Sequence, residues 1–260
     1  MDLNLTGQTA LVTGGSRGIG FGAAKRLAME GVHLRLVARD QARLAEAAEE
    51  LRRMATADIA TYPLDLSQPA QREALIAAVT DIDILVNNAG NIPSGTIDEM
   101  GDKEWRDVWE LKLFGFIDLT RAYFTRMKKK RGGVIINIIG AAGERPDYNY
   151  AAGSMANAAL MAMTRALGGV SPDFNTRVVG INPGAVETER TIAQSKRHAL
   201  RHYGDESRWV ERRKTRPFGE PQSPDQVGAL VAFLASDFAR YITGTVITAD
   251  GGVVYRSQHH

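Results

Sequence analysis

Three groups of residues in this chain have types and spacing that suit chemistry. The run Thr13-Gly14-Gly15-Ser16-Arg17-Gly18-Ile19-Gly20 follows a short apolar segment and opens a helical pattern over residues 21–30. Glycines there let the backbone turn sharply, and the first N–H groups of the following helix point at a bound phosphate. Arg39 stands about 20 residues beyond these glycines, where a dinucleotide-binding unit reads its ribose. With Arg17 it can pair an extra phosphate bidentately. Tyr150, Ser154 and Asn157 share a helical stretch, and Lys112 lies in an earlier one. A phenol and an ammonium are parts of a proton-transfer site. The plain alternatives are a turn without ligand, an Arg39–Asp40 surface ion pair, and a Tyr150 that only packs at a loop edge.

Composition narrows the field further. The 260 residues are 44% hydrophobic and 24% charged, enough for one large core. Thirty-two Lys and Arg against 30 Asp and Glu give a net charge of +2, too balanced for nucleic acid or a membrane surface as the main partner. The absence of cysteine excludes disulfides, thiolate metal sites and a thiol nucleophile, and fits a reducing compartment. No metal site is expected. No apolar run reaches the ~20 residues of a membrane span, and the N-terminus lacks a basic segment followed by an apolar one, so a cytoplasmic location is expected. The closing Gln258-His259-His260 reads as the start of an expression tag.

The elements that must position these groups show in the alternation of short apolar runs with longer amphipathic segments, without an internal repeat or linker. Strands are expected at 9–12, 33–37, 59–62, 84–86, 134–138, 178–181 and 246–248. This rhythm predicts an α/β fold: one doubly wound, Rossmann-type domain over 1–260, a seven-stranded parallel sheet with helices on both faces. Residues 42–54 place Leu44, Ala47, Ala48, Leu51 and Met54 on one helical face. Residues 191–221 crowd Lys, Arg and His around few apolar residues and read as an irregular surface excursion before a helical pattern resumes at 227–234.

At this point the chain resembles the short-chain dehydrogenase/reductase family over nearly its whole length. Besides the glycine turn it has Asp65-Leu66 after the third strand and Asn87-Asn88-Ala89-Gly90 after the fourth. Ile181-Asn182-Pro183-Gly184-Ala185-Val186-Glu187-Thr188 follows the sixth, and Tyr241-Ile242-Thr243-Gly244 leads to Asp250-Gly251-Gly252. The resemblance implies that Asp65 lies by the adenine, Asn88, Ala89 and Gly90 by a ribose, and Pro183, Gly184, Val186 and Thr188 by the nicotinamide. The family's acid for NAD usually sits at the Ala38 position. Its absence, with Arg39 and Arg17 at hand, favours NADP(H) over NAD(H).

The resemblance also implies four catalytic residues, and each is replaced in register. The family's Asn falls on Lys112 and its Ser on Gly140. Its Tyr lies thirteen residues beyond the Ser position and eleven before Thr164, and both counts meet at Gly153. The Lys position is then Asn157. Placing Tyr150 in the Tyr position would need three extra residues inside a helix, which would spoil its packed face. Tyr150 nevertheless lies one turn before Gly153, about 5–6 Å away between Cβ atoms. A relocated pair is therefore expected, with Tyr150 as proton donor and Lys112 lowering its pKa. Lys112 reaching solvent or pairing with Glu144 is the plain alternative. Ser154 and Asn157 are candidate hydrogen-bond partners of a ligand, or else packing residues.

In the family the excursion at 189–221 forms a substrate lid. Here it carries Arg190, Lys196, Arg197, His198, Arg201, His202, Arg208, Arg212, Arg213, Lys214 and Arg216. Such a lid suits an anionic small-molecule substrate, a carboxylate, sulfate or phosphate-bearing thioester, although a charge-rich segment is also an ordinary solvated face. The function expected is an NADP(H)-dependent oxidoreductase of carbonyl or alcohol substrates with an atypical site. The alternatives are a nicotinamide-binding protein without redox activity, as sensor, scaffold or inactive partner subunit, and a non-redox enzyme using the emptied space. The resemblance implies a homotetramer or dimer built on helices at 98–128 and 148–168.

Overall fold

The computed structural model describes residues 2–256; the 258–260 tag reading lies outside them. Seven strands form one wholly parallel sheet in the order β3-β2-β1-β4-β5-β6-β7. They are β1 (Thr9–Thr13), β2 (His33–Ala38), β3 (Ile59–Pro63), β4 (Ile84–Asn87), β5 (Gly133–Ile138), β6 (Thr176–Pro183) and β7 (Val246–Ala249). Every expected strand is present. The largest difference is β6, which runs two residues further at each end than its apolar centre, because Thr176 still pairs with Gly133 and Pro183 with Ala249.

The helices are α1 (Gly18–Met29), α2 (Gln41–Met54), α3 (Pro69–Ala78), α4 (Asp102–Trp109), α5 (Gly115–Lys130), α6 (Ala151–Val170), α7 (Glu189–Tyr203), α8 (Glu211–Lys214) and α9 (Pro224–Ala235). One core cluster joins the sheet to Ala23 and Leu27 of α1, Leu44 and Leu51 of α2, and Val227 and Val231 of α9. The other joins it to Leu75 of α3 and to Leu119, Tyr123 and Met127 of α5. Helices therefore cover both faces, as buried parallel strands require. In α2, Asp40 caps the first turn by accepting from the Arg43 N–H at 3.1 Å. Leu44, Ala47, Ala48 and Leu51 are buried as expected, but Met54, the last residue of the helix, is 47% exposed.

Two expectations about the helices need correction. The helix expected at 98–128 starts later and is interrupted between α4 and α5 by a π-turn, Glu110–Phe114, that contains Lys112. The expected irregular stretch at 191–221 begins as the fifteen-residue α7, closed at its start by a reciprocal Thr188–Thr191 capping box. Only Ala199 of α7 is buried, so the apolar stripe that would have revealed a helix is nearly absent.

A buried polar chain fixes α6 against the sheet. The Asn87 amide donates to Thr120 Oγ1 and Asn137 Oδ1, and Asn137 in turn donates to Thr164 Oγ1 at 3.0 Å. Thr164, the reference point for the helix register, is thereby tied to β5.

Candidate active site

The carboxyl ends of the strands meet around the switch in strand order between β1 and β4, where open α/β sheets bind ligands. The glycine turn is tied to the end of β4. The Thr13 hydroxyl accepts from the N–H groups of Asn88 at 2.8 Å and Ala89 at 2.9 Å, and the Asn88 amide donates to the Thr13 carbonyl. A Cβ at Gly20 would collide with the Gly14 carbonyl oxygen, so α1 starts against the turn only because that residue has no side chain. Arg17, the N-cap of α1, gives no side-chain cap, and the first turn holds no acid. Its free N–H groups fit a pyrophosphate.

At the end of β2, Ala38 supplies no carboxylate. Arg39 is exposed and faces Asp65 at 3.8 Å, not Asp40, whose carboxylate caps α2 and pairs with Arg43. Arg17 lies 3.4 Å from Glu189, which also binds Arg43 at 2.9 Å. Asp65 Oδ1 accepts from the N–H and hydroxyl of Ser67. Two expected cofactor residues turn their side chains elsewhere: Leu66 and Val186 are packed in the core, leaving only their backbone for a ligand. Ser16, Gly18 and Ile19 are half-buried along the turn, and a Cβ at Gly18 would lie 3.2 Å from the Thr188 methyl. Thr188 thus brings the start of α7 to the glycine turn. Gly90 borders the Lys112 side chain, where a Cβ would lie 2.5 Å from Cδ.

Beyond β5 and β6 opens a cleft of about 870 Å³ with Gly140, Tyr150, Asn157, Pro183 and Gly184 among its lining residues. Gly140 has φ +136°, a conformation other residues rarely adopt, and its N–H donates to Asn182 Oδ1 at 3.1 Å. A Cβ at Gly153 would fall on ring carbons Cε1 and Cζ of Tyr150, so the phenol ring fills the space next to the bare helix position. Tyr150 is the N-cap of α6, and its ring packs with Ile92, Met100, Ala152 and Ala156. Burial pushes its pKa up, and the nearby Arg190 guanidinium opposes that. Arg190 also donates to the Ile92 carbonyl at 3.0 Å.

Lys112 is buried and makes no hydrogen bond to Tyr150. Its ammonium donates to the carbonyls of Ile138 at 2.8 Å and Ile139 at 3.1 Å, and lies 4.6 Å from the centre of the Phe116 ring. Burial, then the charge of Arg190, brings its pKa down to about 7. It neither reaches solvent nor pairs with Glu144. The cation that acts on the Tyr150 phenol is thus Arg190, which the sequence marked only as one of the charges of residues 189–221. A hint lay in its position two residues beyond Thr188, the end of the run expected beside a nicotinamide.

Asn157 is 3% exposed and lines the cleft. Its Nδ2 lies 2.9 Å from where a Cβ at Gly140 would stand, and its buried Oδ1 has no partner among the described residues. Glu144, weighed in the sequence only as a partner for Lys112, accepts at Oε1 from Asn182 at 2.8 Å and Thr248 at 2.7 Å, while its buried Oε2 has no partner. Ser154 does not border the cleft; its hydroxyl accepts from the Asp147 N–H at 3.1 Å and serves the loop before α6.

Among the described residues no group of three His, Cys, Asp or Glu could hold a metal ion, and no helix is long and apolar enough to cross a membrane. The family model of short chain dehydrogenases matches residues 8–199. The chain is 32% identical to the 3-oxoacyl-(acyl-carrier-protein) reductase FabG of Chlamydia muridarum, over 97% of this chain and 100% of that protein. The fold is similar to L-sorbose reductase of Gluconobacter frateurii complexed with NADPH and L-sorbose, with TM-score 0.92 and 31% identity over 99% of this chain and 100% of that one. It is also similar to a 7α-hydroxysteroid dehydrogenase complexed with NADH and 7-oxo glycochenodeoxycholic acid, with TM-score 0.83 and 26% identity over 96% of each chain.

Proposed function

The chain belongs to the short-chain dehydrogenase family, and on that premise we propose that it is an NADP(H)-dependent oxidoreductase of carbonyl or alcohol substrates with Tyr150 as its proton donor. The observation that carries this reading is the Tyr150 ring standing over Gly153, in the volume a side chain at that position would need.

NADP(H), when bound, supplies or accepts the hydride. The open N–H groups of α1 and the glycine turn support a pyrophosphate there, and Arg39 and Arg17, beside a strand end without a carboxylate, support a 2′-phosphate. In the reducing direction the Tyr150 hydroxyl gives its proton to the carbonyl oxygen. Arg190 then favours the phenolate left behind, the role a cation beside a phenol plays in lowering its pKa. Asn157 offers an amide N–H to the same oxygen from beside Gly140, where no hydroxyl is available. Lys112 acts at one remove: its ammonium binds the last carbonyls of β5 and so steadies the backbone that leads into Gly140.

NADPH consumption with a panel of ketones and aldehydes tests this. Tyr150→Phe should lower kcat by roughly 100- to 10,000-fold while leaving NADPH affinity unchanged. Unchanged turnover in that variant would remove Tyr150 from the reaction. A protein that only binds the nucleotide would show the same affinity and no turnover with any member of the panel.

A further inference from the structure

Every charged side chain around the cleft except one has either a partner or free access to solvent. Arg145 donates to the Val253 carbonyl, Asp147 accepts from the Asn149 N–H, and Asp250 accepts from the N–H groups of Gly252 and Val254, both at 2.7 Å. Glu220 is exposed. Elsewhere in the lid Lys196 pairs with Glu206, Arg208 with Glu211 and Arg213 with Glu187. Arg216 lines the cleft, is half-buried, and has no ion pair and no side-chain hydrogen bond among the described residues. Its charge is disfavoured by burial first and by neighbouring Arg212 second, with no acid compensating. A half-buried guanidinium without a partner is costly unless an anion completes it.

The next turn of the lid points to the other half of the ligand. Phe218 also lines the cleft, is 94% exposed, and sits at φ 60°, ψ 11°, the left-handed region that a bulky residue rarely adopts. An aromatic ring held in that way at the cleft mouth, near the apolar walls of Ala141, Pro217 and Val254, suits a hydrocarbon body.

We propose that the substrate is a carbonyl compound with a hydrocarbon body and a carboxylate, the carboxylate seated on Arg216 and the hydrocarbon against Phe218. The inference rests on the redox reading above for the carbonyl and adds the two groups that flank it. A single free guanidinium fits a monoanionic carboxylate through two parallel N–H bonds. The Arg17 and Arg39 cations lie on the other side of the sheet's switch point, beside the place proposed for the cofactor's 2′-phosphate, so the cofactor and the substrate carboxylate have separate partners.

The test uses the full chain saturated with NADPH and a series of benzoylalkanoates of increasing length, from benzoylformate to 5-benzoylvalerate, each with its methyl ester. Binding is measured by calorimetry and hydride transfer by NADPH absorbance. The best acid should bind about tenfold or more tightly than its ester, the effect of one charge-assisted contact. Arg216→Gln should reduce that preference to within about twofold, with unchanged NADPH affinity, and Arg216→Lys should restore part of it. Phe218→Ala should weaken acid and ester alike by several-fold. No measurable binding of any acid, no acid preference in the parent protein, a preference that survives Arg216→Gln, or a loss of NADPH affinity in that variant would each overturn the proposal. Acid-selective binding without hydride transfer would uphold it and remove the redox reading; turnover of acids and esters alike would do the reverse.

Discussion

The β1–β4 end and the β5–β6 end of the same sheet edge solve their problems with different parts of the chain. Around the glycine turn the work centres on backbone groups: the Thr13 hydroxyl and the Asn88 amide lock one loop to another by bonding main-chain N–H and C=O groups, and the first N–H groups of α1 face the turn. Around Gly140 and Gly153 the proposed chemistry falls to side chains that come from unexpected positions: Tyr150 from the start of α6, Arg190 from α7, and Asn157 from two turns further along α6. A backbone site tolerates little change in sequence, because only certain residues permit its geometry. A side-chain site tolerates relocation, because the same atoms can be delivered from neighbouring turns.

One kind of substitution, glycine to alanine, separates the two ends and gives the largest effect. A Cβ at Gly20 meets a carbonyl oxygen of the turn, which cannot swing away, so Gly20→Ala should destabilise the fold by about 1–3 kcal/mol and abolish nucleotide binding. A Cβ at Gly153 meets an aromatic side chain that can leave. Gly153→Ala should keep the fold, helped by about 1 kcal/mol of helix propensity, and keep NADPH affinity. It should still lose on the order of 100-fold in kcat as the Tyr150 ring is displaced. Adding Tyr150→Phe should cause little further loss, because both changes remove one arrangement. Full activity in Gly153→Ala would break the contrast.

Legibility in the sequence follows the same division. All seven strands, the doubly wound topology and the pieces of the glycine turn were readable, because buried parallel strands are continuous apolar runs and tight turns demand glycine. The close approach of Tyr150 to Gly153 was readable too, since the two lie one helical turn apart. The partner of Tyr150 was not. The π-turn that holds Lys112 leaves no composition signal, and it sends that ammonium to the carbonyls of Ile138 and Ile139. Arg190 belongs to α7, in which only Ala199 is buried, so no apolar stripe revealed the helix itself. Met54 was misassigned because a periodic stripe continues in sequence after the helix has run past its covering sheet.

A smaller effect is expected where the nucleotide end relies on a side chain. Arg39 is exposed and its closest acid, Asp65, lies at 3.8 Å, so little in the free protein depends on it. Arg39→Ala should raise KM for NADPH about tenfold and leave KM for NADH nearly unchanged, measured as kcat/KM for the two nucleotides with one ketone. Equal loss for both would show that the 2′-phosphate is held elsewhere, with Arg17 the next residue to substitute.

The smallest effect sharpens the contrast within α6 itself. Tyr150 and Ser154 stand four residues apart, one turn of the same helix, and both read in the sequence as candidates for the reaction. Only Tyr150 borders the cleft; the Ser154 hydroxyl is buried and accepts a single N–H, that of Asp147. Ser154→Ala leaves that N–H without its partner in a part-buried loop, a loss of about 1 kcal/mol. A chain of this size should then melt roughly 2–4 °C lower. Turnover should stay within about twofold, since the loop that Ser154 steadies is also held by the Gly95 N–H on the Asn149 carbonyl at 2.8 Å and by the Tyr150 N–H on the Asp147 carbonyl at 3.0 Å. A fall in kcat comparable to that of Tyr150→Phe, with no change in melting temperature, would mean that Ser154 reaches the reacting oxygen and that the helix turns a different face to the substrate.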